Sequence, residues 1–216
     1  MIQQQFLPHK GGIYWYRVHL QKVQQCNGSF TGLLEYLQQM FHACPHDFFQ
    51  EGPRSSRLQF TLPLEVKKIE GHEICGLARE GIQMNHHRGN HMKVQSLLLE
   101  RDAHTLAVEV PLWMQAAEFQ GYETLFQSSL PLTGHIDILR VENGKLWVWD
   151  YKPAAFDEKF AATQVYFYAY MLSKRSGIPL EEFRCGYFDE AAAFLFKPPQ
   201  PEKMKMPAQE RLTTFK

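Results

Sequence analysis

The sequence predicts an α/β fold with a mixed central β-sheet flanked by helices. Three observations lead there. Short runs rich in β-branched and aromatic residues alternate with longer amphipathic stretches. A strong hairpin signal, Asn143-Gly144, stands between two apolar runs. A long helical pattern then separates that hairpin from two last strands, as in a layered α/β domain.

Composition fits such a domain. The chain has 216 residues, 44% hydrophobic and 21% charged, enough to bury a core without a staple. Lys plus Arg and Asp plus Glu balance at 23 each, which excludes reliance on bulk positive charge but not a local basic groove. No apolar run approaches the roughly 20 residues needed to cross a bilayer. The opening "MIQQQFLPHK" lacks the signal-peptide pattern, so the expected setting is cytoplasmic, with no membrane partner. Cys26, Cys44, Cys75 and Cys185 are scattered without a CxxC pair. They read as small core residues in a reducing compartment, not as disulfides or a structural zinc site.

Taken in order, "GGIYWYRVHLQKV" reads as a strand and "GSFTGLLEYLQQMF" as a short helix, together an N-terminal extension over residues 1–60. "HDFFQEGPRSSR" is a loop. Between 64 and 84 the positions Val66, Ile69, Ile74, Leu77, Ala78 and Ile82 recur at helical spacing. "NHHRGNH" reads as a polar connection, although His87 and His91 are metal-competent types, and "MKVQSLLLE" resumes a helix. "HTLAVEVPLW" alternates, which puts Leu106, Val108 and Val110 on one face and Glu109 on the other, towards solvent. "LTGHIDILRV" and "KLWVWDYK" flank the turn. A helix is expected from about Asp157, as N-cap, to Ser176. "FRCGYFD" and "AAAFLF" are the last strands. The Pro- and Lys-rich tail over residues 197–216 has little to bury and is expected to be flexible.

The hairpin carries the chemistry. If Asn143 and Gly144 form a two-residue type I′ loop, Glu142 pairs with Lys145 and the register follows: Val141 with Leu146, Arg140 with Trp147, Leu139 with Val148, Ile138 with Trp149. Asp137 then falls opposite Asp150, with His135 and Lys152 one step further on the same face. Directly opposed residues have Cβ atoms roughly 4.5–5.5 Å apart, where like charges repel. A divalent cation between the two carboxylates resolves the conflict, and hard oxygen ligands favour magnesium or manganese over zinc. The alternative is a strand-end ion pair between Asp150 and Lys152, with Asp137 meeting Arg140 or solvent.

"GHIDIL", then "WDYK", then a helix carrying "QVYFY" resembles the PD-(D/E)XK nuclease superfamily, and within it the RecB-like branch of helicase-associated and CRISPR-associated exonucleases. The resemblance spans residues 64–196 and implies a restriction-endonuclease-like core, set at residues 61–196. It implies that Asp137 and Asp150 hold Mg2+ or Mn2+ with help from the Tyr151 carbonyl. Lys152 would position the attacking water and the scissile phosphate, and Gln164 and Tyr168 would contact the nucleic-acid backbone. The last pair equally suits an aromatic helix face in the core. The implied activity is that of a metal-dependent deoxyribonuclease acting on single strands or duplex ends. Alternatives are a non-catalytic nucleic-acid- or protein-binding module on this fold, or a nuclease subunit that meets a protein partner through its tail.

The pattern departs from the family on the helix before the sheet. "KIEGHEICGLAREG" has Cys75 where a family-like G-x-x-x-H would place histidine, so a further ligand could come from His72, Glu73 or Glu80. Glu109, which resembles a recurrent acid of the first family strand, is taken as structural. Only Cys185 follows the catalytic strands, so no iron–sulfur cluster is expected.

Overall fold

The computed structural model describes residues 1–26, 28–84 and 89–204. Among these, one eight-stranded sheet has the order β1 (Ile2–His9), β2 (Gly12–His19), β4 (Thr105–Met114), β5 (Leu132–Glu142), β6 (Lys145–Tyr151), β7 (Phe183–Phe188), β8 (Ala192–Phe196) and β3 (Lys67–Glu70). Only β6 and β7 run parallel. The crossover that a parallel pair requires is α6 (Ala161–Ser176). The remaining helices are α1 (Leu20–Cys26), α2 (Leu33–Gln39), α3 (Glu73–Ile82), α4 (Asn90–Arg101) and α5 (Tyr122–Phe126). The predicted mixed sheet with flanking helices is the observed architecture.

Helices cover both faces. On one, Leu33 and Leu37 of α2 and Val165, Phe167 and Met171 of α6 pack on Val110, Ile136 and Val148. On the other, Ile74 and Ala78 of α3 and Val94 and Leu98 of α4 pack on Val108, Ile138 and Trp149. Strand β5 is therefore buried without a break from Leu132 to Arg140, as a central strand covered on both faces must be. Helix α6 is buried at every position from 163 to 172, so its apolar character runs all round.

Several expected elements come out differently. The helical spacing between 64 and 84 merges two elements: Lys67–Glu70 is an exposed edge strand on β8, and the chain turns at Gly71 (φ 72°) before α3 starts. Helix α6 begins at Ala161, not near Asp157, because Ala155–Asp157 forms a separate 3-10 turn after Ala154 adopts positive φ. Residues 1–60 supply two strands and two helices. Their Leu7, Tyr16 and Val18 share the core of α6, joined to the sheet through Arg17↔Val108 and Val18↔Ala107.

The alternation expected for β4 also fails. Val110 packs with the α6-side core and Val108 with the α3–α4 side. Between them Glu109 has φ 53°, a left-handed kink that turns the strand over. Of the tail, Pro201–Lys203 forms a 3-10 turn and Met204 packs on the core; residues 205–216 lie outside the described part. No described helix is long and apolar enough to cross a membrane.

Candidate metal centre

The hairpin has the predicted register from Glu142↔Lys145 to Ile138↔Trp149. Asn143 (φ 49°) and Gly144 (φ 68°) both take the positive φ that a type I′ turn demands. Beyond Trp149 the ladder stops. Strand β6 continues along β7, with Tyr151↔Phe188 paired and the Lys152 N–H donating to the Phe188 carbonyl (2.9 Å). Asp137 accordingly accepts the Tyr151 N–H on Oδ2 (3.0 Å). The head-on ladder pair of Asp137 with Asp150 is thereby replaced by a splayed junction where the two acids meet at a strand parting.

Asp150 is fully buried. Its Oδ1 accepts a hydrogen bond from Gln164 Nε2 (3.0 Å), which also donates to the Tyr168 hydroxyl (2.8 Å). Lys152 Nζ lies 2.9 Å from Oδ2 as an ion pair. Residues four apart on a helix share a face, which is why Gln164 and Tyr168 act together. Tyr168 can reach them only because Gly134 has no side chain: a Cβ there would run into the edge of the Tyr168 ring and lie 3.1 Å from Ser55 Oγ. The glycine and the acid of "GHID" thus serve one site. Gln164 and Tyr168, expected to contact nucleic acid, are themselves buried, with the Gln164 amide nitrogen engaged on Asp150 and on the Tyr168 hydroxyl.

On the other side of Asp137 stand two residues assigned elsewhere from the sequence. His91 belongs to the first turn of α4, not to a polar loop, and its Nε2 lies 3.0 Å from Asp137 Oδ2 and 3.8 Å from Glu109 Oε1. Glu109 is turned into the site, not to solvent. The pairs Val108↔Ile138 and Val110↔Ile136 flank it and set it across from Asp137. Gln95, four residues after His91, donates to Glu109 Oε1 (2.8 Å). Ligand atoms of His91, Glu109 and Asp137 all lie within 4.8 Å of one another. The signals were present: i, i+4 spacing of His91 and Gln95, and an acid in β4 level with one in β5. The β4–β5 connection is too long to fix a register from sequence, however, and the left-handed Glu109 inverts its face.

The electrostatics fit a cation. Burial, and then the Asp137 charge, raises Asp150 to about 7, with Lys152 and His91 only partly offsetting this. Burial and Asp137 likewise raise Glu109 to about 7, against His91, Gln95 and Arg17. Burial opposes the charge on His91, but Asp137, Glu109 and Asp150 lift it to about 9. Burial also works against the Asp137 carboxylate, yet His91, Lys152 and the Tyr151 N–H hold its pKa below the ordinary value. Three carboxylates thus converge with too little positive charge to ionise them all. A divalent cation supplies that charge, so the residues present fit a metal.

Other candidates fall outside. His72 Nδ1 accepts the Ile74 N–H and caps α3, Glu73 lies 3.6 Å from Arg140, and Glu80 is exposed. His87 is not among the described residues. His135 does not join Lys152; its Nε2 meets His9 Nδ1 (2.9 Å) and its ring stacks on Tyr14. Arg140 binds Asp102 and Glu142, not Asp137.

Comparison with known proteins gives the family. The family model described as the PD-(D/E)XK nuclease superfamily matches residues 36–215. No curated protein matches the chain. A solved structure titled "Crystal structure of SSO0001" is similar at 17% identity over 51% of this chain and 50% of that chain, with a TM-score of 0.35, too partial to show a shared fold. The superfamily match covers most of the sequence, including both strands and the helix that build the centre, and the chain belongs to the PD-(D/E)XK nuclease superfamily.

Proposed function

We propose that the protein is a divalent-metal-dependent deoxyribonuclease that hydrolyses phosphodiester bonds at DNA ends or in single strands. The observation that carries this is the meeting of Asp137, Glu109 and His91 beside the Asp150–Lys152 pair in a chain of a nuclease superfamily. Asp137 and Asp150 are the proposed ligands together with the Tyr151 carbonyl, and the geometry supports adding Glu109 and His91. Oxygen donors suit magnesium or manganese, and one imidazole shifts the balance towards manganese. Such an ion, when bound, lowers the pKa of a water and offsets charge on the phosphate. Lys152, held against Asp150, donates hydrogen bonds to the incoming water or to a phosphate oxygen. Gln164 and Tyr168 act at one remove by holding Asp150. The preference for ends or single strands rests on the likeness of the motifs to the RecB-like branch.

The test is cleavage of end-labelled single- and double-stranded DNA with magnesium, manganese, calcium or chelator, comparing wild type with Asp150→Ala and Lys152→Ala. We expect metal-dependent cleavage, faster with manganese, and lost in both variants. Wild type that cleaves neither DNA with any metal refutes the proposal as a standalone activity. Binding of DNA without cleavage would point to a non-catalytic module on the same fold.

A further inference from the structure

A second group of metal-competent side chains lies away from the acidic centre. His9 ends β1, and Cys44 and His46 flank Pro45 just before the 3-10 turn His46–Phe49. Pro45 (φ −78°, ψ 74°) makes an inverse γ-turn in which the His46 N–H donates to the Cys44 carbonyl (2.9 Å). This three-residue turn brings Cys44 and His46 to the end of β1. His9 Nε2 lies 3.0 Å from His46 Nδ1 and 4.0 Å from Cys44 Sγ, and the three ligand atoms are within 4.8 Å of one another.

Tetrahedral zinc, with bonds of about 2.0–2.3 Å, sets its donors about 3.3–3.8 Å apart. The hydrogen-bonded pair His9–His46 at 3.0 Å is closer than that and Cys44 Sγ at 4.0 Å is further, so loading replaces that hydrogen bond and draws the thiol in. The ligand set has an outer support as well. His9 is buried, stacked on Phe49 (centroids 4.0 Å apart, 14° between planes), and its Nδ1 is 2.9 Å from Nε2 of the buried His135. A ligating histidine characteristically engages its second nitrogen in a hydrogen bond, which fixes the ring; here Nε2, hydrogen-bonded to His46 Nδ1, would exchange that bond for the metal. His46 is exposed and leaves the ion a path of entry and a fourth position for water.

We propose that the chain binds one zinc-class ion through His9 Nε2, Cys44 Sγ and His46 Nδ1. Two nitrogens and a thiolate select zinc or cobalt over magnesium, the opposite preference to the oxygen-rich centre. The ion ties the segment around residues 44–49 to β1 and, through His135, to β5 two residues before Asp137. It is a structural clamp, separate from the acidic centre. Thiolate coordination releases the Cys44 proton on loading.

The test uses the full chain, stripped with chelator and titrated with cobalt(II). We expect one equivalent to produce a thiolate-to-cobalt charge-transfer band that zinc abolishes. The band should vanish in Cys44→Ala and in His46→Ala, the latter a surface change that leaves the fold intact. It should persist in Asp137→Asn, because the acidic centre has no thiol. Zinc should raise the melting temperature of wild type but not of His46→Ala. Absence of the band in wild type overturns the proposal, as does its survival in Cys44→Ala, or an equal zinc shift in wild type and His46→Ala.

Discussion

Asp150 has one oxygen on Gln164 and the other beside Lys152, and the Gln164 amide is in turn shared with Tyr168. A carboxylate held by a single amide is sensitive to that amide. Partners one shell out from a metal typically matter by about 10–100-fold in affinity or activity. Gln164→Leu, close in size, should therefore fold and bind manganese or cleave DNA more weakly by about that factor. Isothermal titration and initial rates check this, and unchanged values would mean that Asp150 is held by the strand alone. At this scale Asp137, Asp150 and Lys152 stood out through the hairpin register, and Gln164 and Tyr168 through the family resemblance of their motif; the fold brings these side chains together. His91 and Glu109 did not stand out. Histidines in polar stretches are common, and the side to which Glu109 turns depends on a backbone angle that no side-chain pattern encodes. The group of His9, Cys44 and His46 was illegible for another reason: its members are 35 and 37 residues from the first, joined only by folding.

Between elements, the decisive contact is α6 against β5. Gly134 admits the Tyr168 ring, and an added methyl must push either the ring or the strand. Overpacking of this kind costs about 1–3 kcal/mol. Gly134→Ala should lose that much in urea denaturation, and should lose activity beyond what stability explains, because Tyr168 and Gln164 move with the ring. A variant as active and as stable as wild type would show that the strand can yield freely. The hairpin, by contrast, was readable to the residue, since Asn143-Gly144 permits one tight loop and the loop sets the register. The edge strand Lys67–Glu70 was not, because four exposed residues carry no burial pattern and the helix beyond Gly71 extends their apparent period.

Across the molecule, β5 is anchored at its far end by a buried ion cluster. Arg140 is completely buried, donates from Nε and Nη2 to Asp102 (2.8 and 3.1 Å), and also reaches Glu142. Removing one partner of a buried pair costs about 3–5 kcal/mol when the other charge is left alone. Glu142 still faces Arg140, so Asp102→Asn should be destabilised by less than that at neutral pH, as measured by urea denaturation. Burial opposes ionisation of Asp102, but Arg140, the Thr105 hydroxyl and the His104 N–H hold its pKa below the ordinary value. A carboxylate lowered in the folded state contributes its stability fully above its unfolded value of about 3.9. That contribution is lost as the pH falls through the lower folded value. Wild-type stability should thus decline more steeply below about pH 4 than that of Asp102→Asn, and parallel acid limbs would exclude the linkage.

By itself the sequence determined the layered α/β class and the hairpin with its register as far as Ile138 and Trp149, which follow from periods and turn chemistry. The roles proposed for Asp137, Asp150, Lys152, Gln164 and Tyr168 rest on the resemblance of three motifs to a nuclease family, and the fold brings these side chains together. Tertiary structure alone decided the rest. It parted β5 from β6 at Asp137, turned Glu109 inward through one left-handed residue, brought His91 across from another helix, and gathered His9, Cys44 and His46 at one corner. These outcomes depend on which strands lie side by side and on a single backbone torsion. Neither quantity is carried by any short stretch of chain.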